Sequence, residues 1–529
     1  MRNLIFLALL SASLSCALQF PFDVNYLWWN RLQPLPSPAT AEPRSPRIAI
    51  IGAGAGGSSA AFWISKAKER YGLDVAIDVY ESNDYIGGRS TTVYPYNDTA
   101  YEPLELGAFI FVEANKNLQR AVNEFNLSLS RFDEEIDDIA IWDGENVLYT
   151  LSATKSWGSR ILSWLHSVKF LLRYGYSSLR TQGLVKAMTA KIVTLYEPEA
   201  PTWSSIEELN ASFNWTELVS QTGAEYFQSH GVSQTFAEEA IEAGTRVNYA
   251  QSIDSIHGLG ATVSLATSGG VRVRGGNQQV FEQFVKRSGA QVFLKTKVVG
   301  IERQSANGWI IVTKDERRDY SAVVIAAPYH TSHISLPADL SSLIPPQPYA
   351  HVHITLLTTT ASTPNPVYFG HKPGSKVATN VLATFGGVRH GGSPSEFNFI
   401  SYQGRTKFAK NETHDEQETD EWIVKISSPE RISDEWLATQ FQNQVGWVLR
   451  KEWDAFPVLS PMTRFPPIKL DDGLFYINAF EPFISCMETE TLASRNVVDL
   501  LLREKFNASV CAVEGERRRP GGFVYGWDC

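Results

Sequence analysis

Arg47-Ile-Ala-Ile-Ile51-Gly52-Ala-Gly54-Ala-Gly-Gly57 is the stretch on which the fold turns. A short run of β-branched and small apolar residues reads as a buried strand. The glycines that follow read as a tight turn, and Ser58 to Arg70 has the composition of a helix. Val75-Ala-Ile-Asp-Val-Tyr80 is a second strand, closed by Glu81. Three glycines in a G-x-G-x-x-G spacing arise by chance in about one of six chains this long, so the spacing alone is weak. Its place between a strand and a helix, with an acid at the end of the next strand, is what the dinucleotide fingerprint requires. Gly52 permits the turn, Gly54 lets the backbone approach a pyrophosphate, and Gly57 allows the helix to pack closely. The phosphates meet the helix N-terminus, and Glu81 accepts from the adenosine ribose.

Outward from this unit the composition is that of a globular protein. Of 529 residues, 43% are hydrophobic, 12% aromatic and 20% charged, enough for two packed domains and a buried cofactor. Lys plus Arg number 47 against 57 Asp plus Glu, a net charge of −10 without a long basic run, which argues against a nucleic-acid partner. Residues 1–17 carry Arg2, an apolar run from Leu4 to Leu14 and small residues around Cys16, and read as a secretory signal peptide. A bacterial lipoprotein signal ending at Cys16 is an alternative. The run is too short to span a bilayer, and no other segment reads as a transmembrane helix. Sequons at Asn97, Asn126, Asn210, Asn214, Asn411 and Asn507 suit a glycoprotein of the secretory pathway, secreted or lysosomal/vacuolar. Of the cysteines beyond the leader, Cys511 and Cys529 are the expected pair and Cys486 the free thiol.

Residues 18–46 read as a Pro-rich linker. The expected division is then a cofactor-binding domain in three pieces (47–150, 269–335 and a closing motif at 461–506), a mostly helical substrate region at 151–268, a substrate domain at 336–460 and a C-terminal tail at 507–529. The helical region places Ile161, Trp164, Leu165 and Val168 at helical spacing. The fold class is α/β, a discontinuous Rossmann-type domain beside a second, mixed α+β substrate domain.

Beyond Glu81 come Ile86-Gly87-Gly88-Arg89 and Glu105-Leu106-Gly107-Ala108, then Val273-Arg-Gly275-Gly276-Asn277, Lys297-Val298-Val299-Gly-Ile301 and Ala326-Ala-Pro328. Last comes Gly473-Leu-Phe-Tyr-Ile-Asn-Ala-Phe-Glu481 with Ser485-Cys-Met487-Glu488. This series resembles the FAD-dependent amine-oxidase superfamily. The resemblance implies FAD, with Gly88 and Arg89 near the phosphates, Gly107 near the flavin, Val298 against adenine, Glu481 at the ribityl or pyrophosphate and the helix start at Met487 facing the flavin. Arg246-Val-Asn-Tyr-Ala-Gln-Ser252, Gly260-Ala-Thr-Val-Ser-Leu265, Val424-Lys-Ile426 and Phe465-Pro-Pro467 narrow the resemblance to the prenylcysteine oxidase, or prenylcysteine lyase, family. Glu481-Pro-Phe-Ile-Ser-Cys486 is bulkier than that family's pattern, and the tail after Asn507 departs from it.

The family resemblance implies oxidation of the thioether of an S-prenylated cysteine to cysteine, a prenyl aldehyde and hydrogen peroxide. The partners are an isoprenoid thioether or other apolar small molecule and dioxygen. Such chemistry needs orientation and control of water rather than a fixed triad. Asn248, Tyr249 and His257 are the catalytic candidates, with His330, His351 and His353 behind them. No metal site is expected. Two other readings stay open: an amine or tailoring oxidase on the same scaffold, and a secreted glycoprotein that has lost catalysis.

Overall fold

The computed structural model describes residues 45–131, 138–152, 170–200, 202–304, 308–409, 417–511 and 522–529. The leader, most of the linker, Asn411 and the stripe from Ile161 to Val168 lie outside the described residues. From Pro46 the chain forms one compact unit.

The first strand, β1 (Arg47–Ile51), is followed through the glycine loop by α1 (Ala55–Tyr71) and then β2 (Ala76–Tyr80). Ile48, Ala49 and Ile50 are fully buried, each isoleucine stabilising the fold by about 2 kcal/mol. Gly72 ends α1 in the left-handed conformation, φ 65°, donating to Lys68 O, the usual glycine stop. The chain then leaves for β3 (Asp138–Trp142) and β4 (Val147–Ser152), and a helical stretch follows that includes α2 (Ser177–Val193), α3 (Glu242–Tyr249) and α4 (Gly258–Val263). It returns through α5 (Gln278–Ser288), β5 (Gln291–Phe293), the meander β6 (Val298–Gln304), β7 (Gly308–Thr313) and β8 (Arg317–Tyr320), and β9 (Ala322–Ile325). A second excursion makes β10 (Tyr349–Thr359), β11 (Asn380–Ala383), β12 (Phe399–Phe408), β13 (Gln417–Ser428) and β14 (Val445–Pro457). The closing segment is β15 (Lys469–Asp471), β16 (Leu474–Tyr476) and α6 (Met487–Phe506).

Two large sheets result. The cofactor-side sheet has the order β15-β16-β9-β1-β2-β5. Its central strand β1 runs parallel to both neighbours, Ile48 opposite Ala322 and Ile77, so strands far apart in the chain share one sheet. The other sheet has the order β14-β10-β13-β12-β11-β3-β4. Residues 138–152 therefore belong to the second sheet, β3 pairing in parallel with β11 through Asn380 and Ile139. The expected end of the first cofactor segment at 150 is corrected to a point before 138. Alternating strand texture identifies a strand but not its partner sheet.

The C-terminal residues are also more than a tail. Cys511 and Cys529 are bridged with their Cα atoms 5.1 Å apart, and Cys486 is free. Trp527 packs at a tilt against Phe62 of α1, ring centroids 5.0 Å apart, and its indole donates to Asn117 Oδ1. Of the described sequons, Asn97, Asn126, Asn214 and Asn507 are exposed. Asn210 is 6% exposed, its amide turned toward Thr216. Among the described residues no helix is long and apolar enough to cross a membrane.

Candidate functional site

The three fingerprint glycines have different physical reasons. Gly52 sits at φ 103° and donates to Tyr80 O at 2.7 Å, and a Cβ on it would stand 2.5 Å from Ala326 O. A Cβ on Gly57 would lie 1.8 Å from Gly52 O, so that glycine lets α1 press on the turn. A Cβ on Gly54 meets nothing nearer than Gly88 Cα at 3.8 Å. Gly54 is spared a side chain by the space in front of the loop, not by the protein behind it. Gly87 N donates to Ala53 O at 2.9 Å, and Gly88, at φ 60°, faces Gly54. Glu81 is buried. Its Oε2 accepts from Ala53 N at 2.8 Å and its Oε1 from the backbone and side-chain amides of Asn83, both at 2.8 Å. Ser82 Oγ adds a third donor to Oε1 at 3.3 Å, so the capacity left for a ribose hydroxyl is the second acceptor position of Oε2. Thr296 N donates to Glu81 O at 2.8 Å, which brings the segment before the buried Val298 against the same acid.

The far end of the chain closes on this loop. Ser494 of α6 donates to Gly56 O at 2.6 Å, and a Cβ on Gly56 would stand 3.1 Å from Glu490 Oε2. The N-termini of α1 and α6 thus converge, with Met487 as the first residue of the latter. Arg89 is ion-paired with the fully buried Glu481 and donates to Ala455 O at 3.0 Å. Tyr349 donates to the other Glu481 oxygen. Burial opposes the Arg89 charge, but Glu481 and Tyr349 outweigh it and raise the pKa above the ordinary value. Glu490, buried and repelled by Glu481, is pushed well above the carboxylate range and held neutral.

Around the cradle, Ser90 Oγ, Gln278 Oε1, Asn478 Oδ1 and Glu490 Oε1 are buried without a hydrogen-bond partner. Buried polar atoms rarely stay so. Beside two helix N-termini and an arginine they are a donor and acceptor set fitted to a diphosphate-linked cofactor, and the residues fit FAD. Loop residues 53–56, Gly88 and Arg89 would hold its phosphates, Glu81 and Val298 its adenosine, and Glu481 and Met487 its flavin side.

Gly107 borders this end. A Cβ there would fall 1.9 Å from Arg89 O, whose carbonyl accepts from Ala108 N. Beneath it Lys425 of β13 donates to Glu105 O and Gly107 O, both at 3.2 Å, with Nζ 5.4 Å from the Phe109 ring centroid. Burial brings Lys425 down to about 8, against the pull of Glu105. Burial also pushes Glu105 up to about 7, moderated by Asn277 N–H, Lys425 and Arg272. The raised Glu105 value contributes stability that is complete below about pH 4.5 and lost as pH rises through 7. Glu105→Gln is therefore expected to remove about 3 kcal/mol of the stability loss between those limits. Denaturant midpoints measured across that range check it: an unchanged slope would exclude Glu105 as its source.

Each catalytic candidate is held by defined contacts. Asn248 donates to Gly244 O and Ser264 O, at 3.1 and 3.0 Å, fastening α3 to the end of α4. Tyr249 is buried and donates to Ser485 O at 3.2 Å, next to the start of α6. His257 Nδ1 accepts from Gly260 N at 2.9 Å as the cap of α4, and its Nε2–H donates to Pro482 O at 3.1 Å. Burial pulls its pKa down to about 4, so it stays a neutral cap holding the 482–486 segment. His330 meets the carbonyls of Ile344 and Pro345, and His351 and His353 lie on β10, facing the carboxylates of Asp454 and Glu452. Tyr349, Lys425 and Glu490 are site residues that sequence reading missed, since nothing in their spacing ties them to the glycine loop.

A mostly parallel sheet whose central glycine turn is completed by residues from the other end of the chain is the fold of an FAD-dependent oxidoreductase. Solved structures share this fold: putrescine oxidase bound to putrescine (TM-score 0.54, 14% identity, 87% of this chain and 99% of that one) and cyclohexylamine oxidase from Brevibacterium oxydans (TM-score 0.53, 16% identity, with the same coverage of each chain). A Rossmann-like NAD(P)-binding model matches residues 50–125, and the prenylcysteine lyase model matches residues 158–515. The farnesylcysteine lyase of Arabidopsis thaliana is 30% identical over 485 residues, 88% of each chain. Human prenylcysteine oxidase 1 is 27% identical over 497 residues, 89% of this chain and 92% of its own. The chain belongs to the prenylcysteine lyase family.

Proposed function

We propose that this enzyme cleaves the thioether of a prenylcysteine by FAD-dependent oxidation. One thioether, one water and one dioxygen give free cysteine, a prenyl aldehyde and hydrogen peroxide. The observation that carries this reading is the extent of the family match, residues 158–515, which takes in the helical region, most of the second sheet and the later segments of the cofactor side. When bound, FAD supplies the two-electron acceptor. The chain orients the substrate, keeps water away from the reacting carbon and holds the buried charges that frame the site.

A cavity of about 850 Å³ suits an isoprenoid tail. Its lining includes Thr181 and Val185 of α2 with Phe236, Ile241 and Leu265. Leu265 borders α3, for a Cβ on Gly244 would stand 2.8 Å from its Cδ2. The same helix ends at Tyr249, which reaches Ser485 beside Met487. This continuity supports a tail seated among the helices with its sulfur directed at the α6 terminus. The amine-oxidase reading rests on fold likeness alone. Peroxide release by the purified, FAD-loaded enzyme is expected with farnesylcysteine and not with putrescine or cyclohexylamine, and the opposite preference would overturn the assignment.

Residence in the secretory pathway, with delivery to the exterior or to a lysosome or vacuole, belongs to the same proposal. Support comes from the apolar leader ahead of Ala17, exposed sequons at Asn97, Asn126, Asn214 and Asn507, and the Cys511–Cys529 bridge, a bond that persists in oxidising compartments.

A further inference from the structure

Far from the glycine loop in sequence, β10 and β14 pair so that His353 stands opposite Glu452 and His351 opposite Asp454. Alternate residues of a strand share a face, so two imidazoles and two carboxylates project together from one ribbon. His351 Nδ1 lies 3.0 Å from Asp454 Oδ1 and its Nε2 4.0 Å from Glu452 Oε2. His353 Nδ1 lies 3.6 Å from the same Glu452 oxygen. One ligand atom each from His351, His353 and Glu452 falls within 4.8 Å of the others. Ligand atoms around a tetrahedral zinc ion stand roughly 3.3 Å apart, so side-chain rotation closes the remaining gap without moving the strands. His353, 16% exposed in its side chain, is held against the sheet, while His351 and Glu452, at 52% and 68%, are free to swing.

We propose that His351, His353 and Glu452, with Asp454 as fourth ligand or as the acceptor orienting His351, form a binding site for a divalent transition metal, zinc above all. Neutral imidazole selects zinc and its neighbours over magnesium and calcium, which take oxygen ligands. The two carboxylates supply the charge that neutralises the ion. The site rests on this geometry alone and stands whether or not the substrate is a prenylcysteine. It is tied to the cofactor cradle through the same two strands. Tyr349, two residues before His351, donates to Glu481, and Ala455, next after Asp454, accepts from Arg89. A bound ion would brace the end of the ribbon that carries both contacts.

The test uses the full FAD-loaded protein, stripped with a chelator and titrated calorimetrically with zinc chloride. One ion per chain is expected, and a chain that takes up no zinc overturns the proposal. His351→Ala with His353→Ala is expected to weaken that binding by at least about tenfold, whereas His371→Ala leaves it unchanged. Glu452→Gln with Asp454→Asn, which keeps side-chain shape and guards against misfolding of the histidine variant, is expected to weaken it as well. Unaltered zinc affinity in either double variant contradicts the site, as does magnesium binding as tight as zinc.

Discussion

Gly54→Val is expected to yield a folded protein without its yellow flavin absorbance. A Cβ at this position meets only Gly88 Cα at 3.8 Å and Gly87 O at 3.9 Å, ordinary contacts that the chain tolerates. The branched side chain projects into the space where the pyrophosphate must approach the N-terminus of α1. A steric cost of about 1–3 kcal/mol corresponds to FAD binding weakened roughly 5- to 150-fold. Circular dichroism and the FAD content after gel filtration separate fold from occupancy. Gly57→Ala is the contrasting control. Its Cβ would sit 1.8 Å from Gly52 O, so α1 must move off β1 and the fold itself suffers. Full FAD retention by the Gly54 variant would remove the glycine loop from the phosphate site.

Glu481→Ala is the second large effect. It leaves the Arg89 guanidinium and the Tyr349 hydroxyl without the buried acceptor that both use, and breaking such a pair costs about 3–5 kcal/mol. Denaturant unfolding of the cofactor-free protein reads this loss directly. Glu490→Gln is expected to cost under about 1 kcal/mol, because burial and Glu481 already hold the Glu490 carboxyl neutral and an amide replaces it with little change of shape or charge. Equal losses in the two variants would contradict this division of charge between the carboxyls.

The cofactor half was legible because its signal is local. Strand, glycine turn, helix and acid follow one another within residues 47–81, and Gly52 and Gly57 there have a steric cause in the fold. The partnership of Arg89 with Glu481 was legible only as two motifs of one family resemblance, since nothing across a separation of 392 residues states that they touch. Tyr349 reads as an ordinary strand residue. Glu490 reads as an acid in a first helical turn, where the dipole favours a charge, and only the packing of α1 against α6 makes it a buried neutral carboxyl. Residues 138–152 group with the cofactor domain by their place in the chain and pair in the second sheet, because pairing is set by contacts distant in sequence. His257 drew attention by residue type and neighbourhood, yet its two nitrogens are spent on Gly260 and Pro482, which leaves it a cap.

The central claim is that this FAD-dependent member of the prenylcysteine lyase family takes electrons from a thioether carbon. The most direct measurement is anaerobic mixing of the FAD-loaded enzyme with farnesylcysteine while the flavin absorbance is followed. Bleaching with farnesylcysteine, its recovery on admitting dioxygen, and appearance of one aldehyde and one free thiol per flavin cycle are the results expected. A flavin that stays oxidised with farnesylcysteine and is bleached by an amine would contradict the account.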